Sequence, residues 1–559
     1  MTKAKKAAQN EIPVPKNAAQ YRKLYKKGHA FYMKKDYVTA LQYLTKAWKF
    51  DATDVNLLVI VADSLFHIDK KNTALQLMTH ALEANPTDPG IVSSLGNAAL
   101  GMNFFDLAQA FHKIYISLKP NEPIGYNNYA TALREDGKYD EAIELLQDVL
   151  PIFPHSELLW NTLGSIVSFR DGPGHAIIFY EECLKINPRN DQALNNIAPS
   201  YFSVGQIDKA EEAIRTSIKL SPNTMYQHMF LSNLLLQTKR FKEGWDEYRW
   251  SHYGNNFDLT VKHNNIPYWN GEDLTGKKIF IFAEQGIGDE ILFSWLYKNL
   301  IRDADKVGIA CQKRLLPLFR NSFPEAQVER YMFKANRELD IEFMTFPDFN
   351  VSEFDYQCTA GEVARYYWKK YEDIELNSDP ILIPTKEKID HWRKKVAKLP
   401  HDISVGIAWR SGVRFANRAR NYAELMDWVP ILKQKNVNFV NVQYGDCQAE
   451  LDELESKTGI KIHNFKDLDL RDDFDGTTAM MQSLDLVMGP ASAPLMQSTL
   501  SGVESWYFLS KVPFWTFGDE YPRWQQKARI LAKSENEPWG EHMVESAEKF
   551  KKWLKEKRK

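Results

Sequence analysis

Residues 277–294 read KKIFIFAEQGIGDEILFS. An alternating apolar run enters a Gly-Ile-Gly-Asp turn and leaves as an amphipathic pattern, the sequence form of a strand, a tight turn and a helix. Gly286 and Gly288 let a ligand come close to the backbone. Asp289 stands at the start of the following helix, where a carboxylate has two uses. It can cap the helix, worth about 1 kcal/mol, or it can serve as a general base in a cleft, whose loss costs ~10²–10⁴-fold in rate. The turn is neither a dinucleotide fingerprint, whose third glycine would fall on Ile291, nor a P-loop, since no Gly-Lys-Ser/Thr follows.

Three further turns carry groups suited to a phosphorylated ligand. After the run ISVGIAW come Arg410, Ser411 and Gly412, then Arg414, Arg418 and Arg420. A guanidinium binds phosphate through two parallel hydrogen bonds and stabilises it as it leaves; solvated loop charge is the plainer use. After NFVNVQY, Gln443 and Tyr444 are placed to meet a base or ribose, or to serve the core or the turn. The turn GPASA, Gly489 to Ala493, precedes an apolar helix pattern whose first N–H groups favour anions. Ser492 is its hydroxyl donor or its N-cap.

These turns need strands behind them. Short β-rich runs (KKIFIFAE, DKVGIAC, IEFMTF, ISVGIAWR, VNFVNVQY, LDLVMGP and VESWYFLS) alternate with helical patterns, which predicts parallel sheets covered on both faces. The polar, proline-containing stretch ELNSDPILIPTKEKIDHWRKKVAKLPHD divides them. The reading is one α/β domain at 255–385 and a second at 386–559, with ligand in the crevice at the carboxyl ends of their strands.

The front half has a different rhythm. Ala40, Ala74, Ala108, Ala142, Ala176 and Ala210 recur every 34 residues, as do Pro86, Pro120, Pro154, Pro188 and Pro222. Small residues at 28, 62, 96, 130, 164 and 198 keep the same period. That is the tetratricopeptide pattern of paired antiparallel helices, in which proline ends each second helix. Behind a basic, flexible N-terminus (1–20), residues 21–254 read as six repeats and a degenerate seventh that caps the solenoid. Asn127, Asn161 and Asn195 fall at one phase of the first helices, and Asn128 and Asn196 at the next. Such a row can grip the backbone of an extended protein acceptor on the inner surface, although asparagine is also common there in the repeat. The repeats equally offer a surface for self-association.

Composition narrows the classes. The 559 residues carry 71 basic and 73 acidic side chains, a balance unlike that of a nucleic-acid binder. There is no uncharged apolar window of about 18 residues, hence no expected membrane span. The start, MTKAKKAAQNEIPVPKN, lacks the apolar core of a secretory signal. Cys183, Cys311, Cys358 and Cys447 lack CxxC spacing and read as thiols of a reducing cytoplasm. The 13 histidines form no HExxH motif, so neither a metal nor another cofactor is expected. Asp467-Leu-Asp469 and Asp473-Phe-Asp475 mimic a metal-binding DxD but read as solvated turn acids. Trp515 and Tyr521 read as packing, and Phe550, Trp553 and Leu554 as one docked face of a basic last helix.

The stretch WNGEDLTGKKIFIFAEQGIGDEILFS resembles the entry to the glycosyltransferase-like domain of bacterial TPR proteins, similar to the lipopolysaccharide heptosyltransferases. The likeness continues through VGIAWRSGVRFANRARNYAEL, NFVNVQY, DDFDGTTAMMQSLDLVMGPASAPLMQSTLSGVESWYFL and WTFGDEYPRWQQKARIL, about residues 266 to 535. With the repeats, the arrangement resembles TPR-bearing protein glycosyltransferases, the flagellin-modifying enzymes among them. The resemblance implies a TPR solenoid followed by two Rossmann-like domains in GT-B arrangement. It implies an inverting, metal-independent transfer of a sugar, such as a CMP-activated nonulosonic acid, from a nucleotide donor held mainly by the domain at 386–559 to Ser or Thr of a protein such as flagellin approaching from the domain at 255–385. Asp289 would be the base; Gly286, Gly288, Arg410, Ser411, Arg414, Gln443, Tyr444, Gly489 and Ser492 would bind the donor. The chain departs from the heptosyltransferases in having Ala491 and Met496 where they carry an acid and a histidine. Two rival readings follow: a catalytically inactive adaptor, and a transferase acting on lipid-linked glycan.

Overall fold

The computed structural model describes residues 18–559 apart from 53, 85, 253–260, 262–263, 284–285, 337–340, 412–420 and 535–536. The chain divides into two compact units, one ending at Tyr201 and the other running from Phe202 to Lys559.

The first unit is built of helical pairs. The first helices Ala18–Met33, Val55–His67, Pro89–Gly101, Pro123–Glu135 and Glu157–Arg170 are each followed by an antiparallel partner. Sequence sets their ends. Asp54 and Asp88 accept backbone N–H bonds at two helix starts, and Pro89 and Pro123 stand in first turns. The second helices Lys71–Ala84, Phe105–Leu118 and Ile177–Ile186 stop just short of Pro86, Pro120 and Pro188. The small residue at the 34-residue period has a steric cause. A Cβ on Gly28 would lie 2.6 Å from Leu44, one on Gly96 2.5 Å from His112, and one on Gly164 2.6 Å from Tyr180. Each glycine is the socket for a large side chain of the partner helix.

His112 fills such a socket with a polar ring. It is 0% exposed, neither ring nitrogen has a partner among the described residues, and burial pushes its pKa down to about 4. The folded state therefore holds fewer protons than the unfolded chain between the ordinary value of 6.5 and about 4. Stability present above pH 6.5 is lost as pH falls through that window, by about 2 kcal/mol at pH 5. The same socket position holds Leu44 and Leu146 in other repeats. His112→Leu should abolish this part of the acid sensitivity in urea melts at pH 7 and pH 5; an unchanged pH dependence would contradict it.

The second unit contains two parallel sheets. In the first, β1 (Lys278–Phe282), β2 (Lys306–Cys311), β3 (Gln327–Arg330) and β6 (Tyr356–Thr359) lie in the order β3-β2-β1-β6. In the second, β7 (Ile403–Ile407), β8 (Val437–Asn441), β9 (Leu486–Gly489), β10 (Ser505–Leu509) and β11 (Ala528–Ala532) lie in the order β11-β10-β9-β7-β8. β7, β8, β9 and β10 are buried at every residue, as strands covered on both faces must be. The run IEFMTF, expected in a parallel sheet, instead forms β5 (Ile341–Thr345) of an antiparallel hairpin with β4 (Met332–Asn336).

The break between the units falls well before the boundary expected at 254/255, for a packing reason. The helical pair Met225–Gln237 and Phe241–Tyr248 shares its core with the sheets: Leu236, Phe241, Trp245 and Tyr248 pack with Ile279, Phe293 and Phe517. The Gln237 side chain donates to the Val512 carbonyl at 2.8 Å, and Lys239 pairs with Asp519 at 2.9 Å. This pair is thus part of the α/β unit. The dividing stretch near 385 is likewise not a loose link. It contains the helix Lys386–Val396 and is pinned where Asp475, 5% exposed, accepts the Thr385 N–H and hydroxyl at 3.0 and 2.7 Å.

That bond corrects the reading of Asp475 as a solvated turn acid, whereas Asp467 and Asp469 are exposed as expected and Asp473 is half-buried. Asp475 is a buried anchor, Asp473 caps the helix Phe474–Met481 through the Gly476 N–H and pairs with Lys388, Asp469 closes its own turn, and Asp467 pairs with Lys395. Among the described residues, no cluster of three His, Cys, Asp or Glu side chains could hold a metal ion, and no helix is long and apolar enough to cross a membrane. Phe550, Trp553 and Leu554 of the helix Trp539–Lys557 pack under the second sheet. Trp515 is buried, while Tyr521 is exposed.

Candidate functional site

Each parallel sheet has one place where the strand order reverses, leaving a crevice at the carboxyl end of a central strand. In the first sheet β2 lies on one side of β1 and β6 on the other; in the second, β8 and β9 flank β7. The segments leaving β1 and β7 contain Gly286–Asp289 and Arg410–Ser411. Both reversal points thus coincide with turns singled out from sequence.

At the first turn, Gly286 is the N-cap of the helix Ile287–Phe293, with φ −28°. Asp289 is therefore not the cap; it lies in the first turn, exposed, its N–H bonded to the Gly286 carbonyl at 3.0 Å. Among the described residues a Cβ on Gly286 or on Gly288 would meet nothing within 4 Å, and neither residue has a positive φ. Glycine is an ordinary residue at a helix cap such as position 286, while no contact among the described residues accounts for Gly288.

The residue that sequence reasoning passed over is Glu290. It is 2% exposed. Its carboxylate accepts the Gln312 N–H at 2.8 Å and the Tyr331 hydroxyl at 2.8 Å. Burial raises its pKa to about 7 against the pull of these two bonds, and the neighbouring Asp289 adds to the rise. The available signal was its place on the same helix face as Phe293, an acid inside an apolar stripe.

The second turn is organised by other means than expected. Gln443 is 1% exposed. Its side-chain carbonyl accepts the N–H groups of Trp409 and Arg410 at 3.1 and 3.0 Å, and its amide donates to the Tyr444 carbonyl at 3.0 Å. The amide is spent tying the ends of β7 and β8 together, so it is not available to a base or ribose. Arg410 lays its guanidinium on Glu450, at 2.9 and 2.7 Å, and donates to the Asp446 carbonyl at 2.8 Å. In this arrangement its fork faces a carboxylate instead of a phosphate. Ser411 and Tyr444 are half-buried. Gly412, Arg414, Arg418 and Arg420 lie outside the described residues.

The third turn leaves β9 beside the second, since the Ala408 N–H bonds the Met488 carbonyl at 2.9 Å. Gly489 has a packing cause: a Cβ there would lie 2.7 Å from the Ala408 carbonyl oxygen. Ser492 occupies the cap position of the helix Ala493–Leu500, yet its hydroxyl turns back to the Pro490 carbonyl at 3.2 Å and caps nothing. Met496 is buried against the Tyr507 hydroxyl, 3.5 Å from its sulfur. The helix Ile287–Phe293 packs directly on Ala493–Leu500, with Ile291, Leu292, Leu495 and Met496 in one core. The Asp289 turn and the Ser492 turn thus open from two helices in contact.

In the repeats, Asn127 donates to Asn128 at 3.0 Å and accepts the Thr162 hydroxyl at 2.5 Å, and Asn161 accepts from Asn196 at 3.1 Å. The row is a ladder linking neighbouring repeats. The Asn195 side-chain oxygen is buried without a partner among the described residues.

The tetratricopeptide repeat family matches residues 94–157 and 191–224. Protein FlbA of Caulobacter vibrioides is 30% identical over 482 residues, covering 84% of this chain and 79% of that protein. The chain belongs to the FlbA family. The aligned length is more than the repeats can supply, so the kinship of this FlbA-family chain takes in much of the α/β unit. The cellulose synthase operon protein C of Pseudomonas fluorescens is 26% identical over 207 residues, 35% of this chain and 16% of that protein. Among solved structures, a thermophilic TPR protein of Thermus thermophilus is 19% identical, with a TM-score of 0.27 over 33% of this chain and 99% of that one. A tetratricopeptide repeat protein of Parabacteroides merdae is 16% identical, with a TM-score of 0.32 over 44% of this chain and 97% of that one.

Proposed function

We propose that this FlbA-family chain is an inverting glycosyltransferase that modifies a protein. The observation that carries the reading is the turn after β1. At a reversal point of a parallel sheet stand two glycines beside which the described residues leave open space, followed by an exposed carboxylate. Such a turn suits a ligand that approaches the backbone closely and a reaction that needs a base. The resemblance of the α/β part to the two Rossmann-like domains of GT-B transferases supplies the reaction. The acceptor hydroxyl oxygen bonds to the anomeric carbon as the bond from that carbon to the phosphate oxygen breaks. The nucleotide leaves with the electron pair, and the hydroxyl proton passes to Asp289. Phosphate would sit at the start of the helix Ala493–Leu500, near Ser411 and Ser492, with Arg410 joining only if it releases Glu450. The repeats, which generally serve protein–protein contact, would present the acceptor's Ser or Thr in the cytoplasm; the same resemblance points to flagellin and a CMP-activated nonulosonic acid.

Two observations favour a second reading, an adaptor without catalysis. Arg410 and Gln443 are committed to protein partners, and Met496 is core. Incubation of the full chain with flagellin and the CMP-activated sugar decides between them. The transferase reading predicts an acceptor heavier by one sugar residue on Ser or Thr, read by intact mass. Nucleotide binding with neither donor hydrolysis nor transfer is the adaptor's result.

A further inference from the structure

Glu290 has a chemical setting that its neighbour's exposure does not explain. Its carboxylate accepts from two neutral donors, the Gln312 N–H just past β2 and the Tyr331 hydroxyl just past β3, each at 2.8 Å. No salt bridge joins it to a cation among the described residues, and a second carboxylate, Asp289, adjoins it in sequence. The other titratable or charged groups that act on it are Cys311 and Arg314. Arg314 is held elsewhere: it donates to the Gln312 side chain at 2.5 Å, the Arg471 carbonyl at 3.0 Å and Asp472 at 3.1 Å. A buried carboxyl without a cation is costly, and an apolar side chain of the same volume would pack there at no such cost. The two bonds fix the first turn of the helix Ile287–Phe293 to two strand ends, and so fix the direction in which Asp289 leaves the backbone.

We propose that Glu290 is a positioning residue for Asp289, pinning its turn through Gln312 and Tyr331 and tuning its basicity by the charge Glu290 carries. This rests on the reading of Asp289 as the base. The charge on Asp289 adds to the rise that burial imposes on Glu290, so the charge on either carboxylate bears on the other. Burial places the Glu290 ionisation at about pH 7. Above that pH its charge makes Asp289 a stronger proton acceptor; below it, Asp289 stands beside a neutral neighbour.

Three variants of the full chain test this. Glu290→Gln keeps the size and the bond from Gln312 but carries no charge. Tyr331→Phe keeps the charge and removes a bond that favours it. Asp289→Asn removes the neighbouring charge. Infrared spectra against pH, with Glu290→Gln as the blank, should show a protonated carboxyl that disappears through neutrality in the wild type. It should disappear at higher pH in Tyr331→Phe and at lower pH in Asp289→Asn. In transfer assays, Glu290→Gln should lose the limb of the rate profile near pH 7, with kcat lower by on the order of tenfold and KM within about twofold, whereas Tyr331→Phe should move the limb upward. A Glu290 already ionised at pH 5, or a titration indifferent to Asp289→Asn, overturns the proposal whether or not the wild type transfers sugar. An expected infrared result beside a wild type that transfers nothing sinks the transferase reading instead. Equal loss in both variants with an unmoved profile makes Glu290 structural only and likewise overturns it.

Discussion

Asp289→Asn should reduce sugar transfer by ~10²–10⁴-fold while leaving nucleotide binding and the melting temperature almost unchanged. The split between activity and stability follows from where Asp289 stands. The helix is capped by Gly286, so the substitution removes no cap. Asp289 is exposed, and asparagine is its neutral isostere. What is lost structurally is a favourable interaction of a charge with the first turn, about 0.3–1 kcal/mol. What is lost chemically is the group that takes the acceptor proton. Intact-mass rates for both proteins at the same pH check this. Activity within tenfold of wild type would mean that the proton leaves by another route.

Gly288→Ala should move stability and binding in opposite directions. The added methyl has nothing within 4 Å to strike among the described residues. Gly288 lies inside the helix Ile287–Phe293, where alanine is favoured over glycine by roughly 0.5–1 kcal/mol. The variant should therefore melt slightly higher. If the open space beside the backbone is where the donor lies, the same methyl occupies it, and affinity for the nucleotide sugar should fall by at least tenfold, an energy of about 1.4 kcal/mol. Calorimetric titration beside a melting curve gives both signs. A more stable protein with undiminished affinity would show that the open glycines do not face the donor. Gly489 offers the opposite case: a methyl there strikes the Ala408 carbonyl oxygen, so loss of function in that variant would report on folding alone.

The helical repeat was plain in the sequence because one steric rule recurs every 34 residues: a small residue faces a large one, and proline closes the second helix. The two parallel sheets were legible in β1, β2, β7, β8, β9 and β10, whose β-rich runs alternate with helical patterns. β3, β6 and β11 were not, since QVER and YQCT carry too few apolar residues to stand out and ARILA follows a long irregular stretch. Nor was the hairpin, because IEFMTF has a strand's composition whatever its partner. At the site, sequence marked the turns but not the side chains' partners. Gln443, Arg410 and Asp475 are polar residues with an evident ligand chemistry, and each is claimed by a group distant in sequence: two backbone N–H groups, Glu450 and Thr385. Glu290 escaped notice for the converse reason. Its importance lies in being buried, which residue type alone argues against.

The central claim is that the α/β unit holds a nucleotide sugar at the turn after β1. It is tested most directly by titrating the wild-type chain with CMP, UDP, GDP and ADP and following the melting temperature. One nucleotide should stabilise the fold, by about 2.7 kcal/mol at a hundred times its Kd, and the same nucleotide should have a weaker effect on Gly288→Ala. If none of the four shifts the transition of the wild type at millimolar concentration, the α/β unit does not hold a nucleotide there and is not a transferase of this kind.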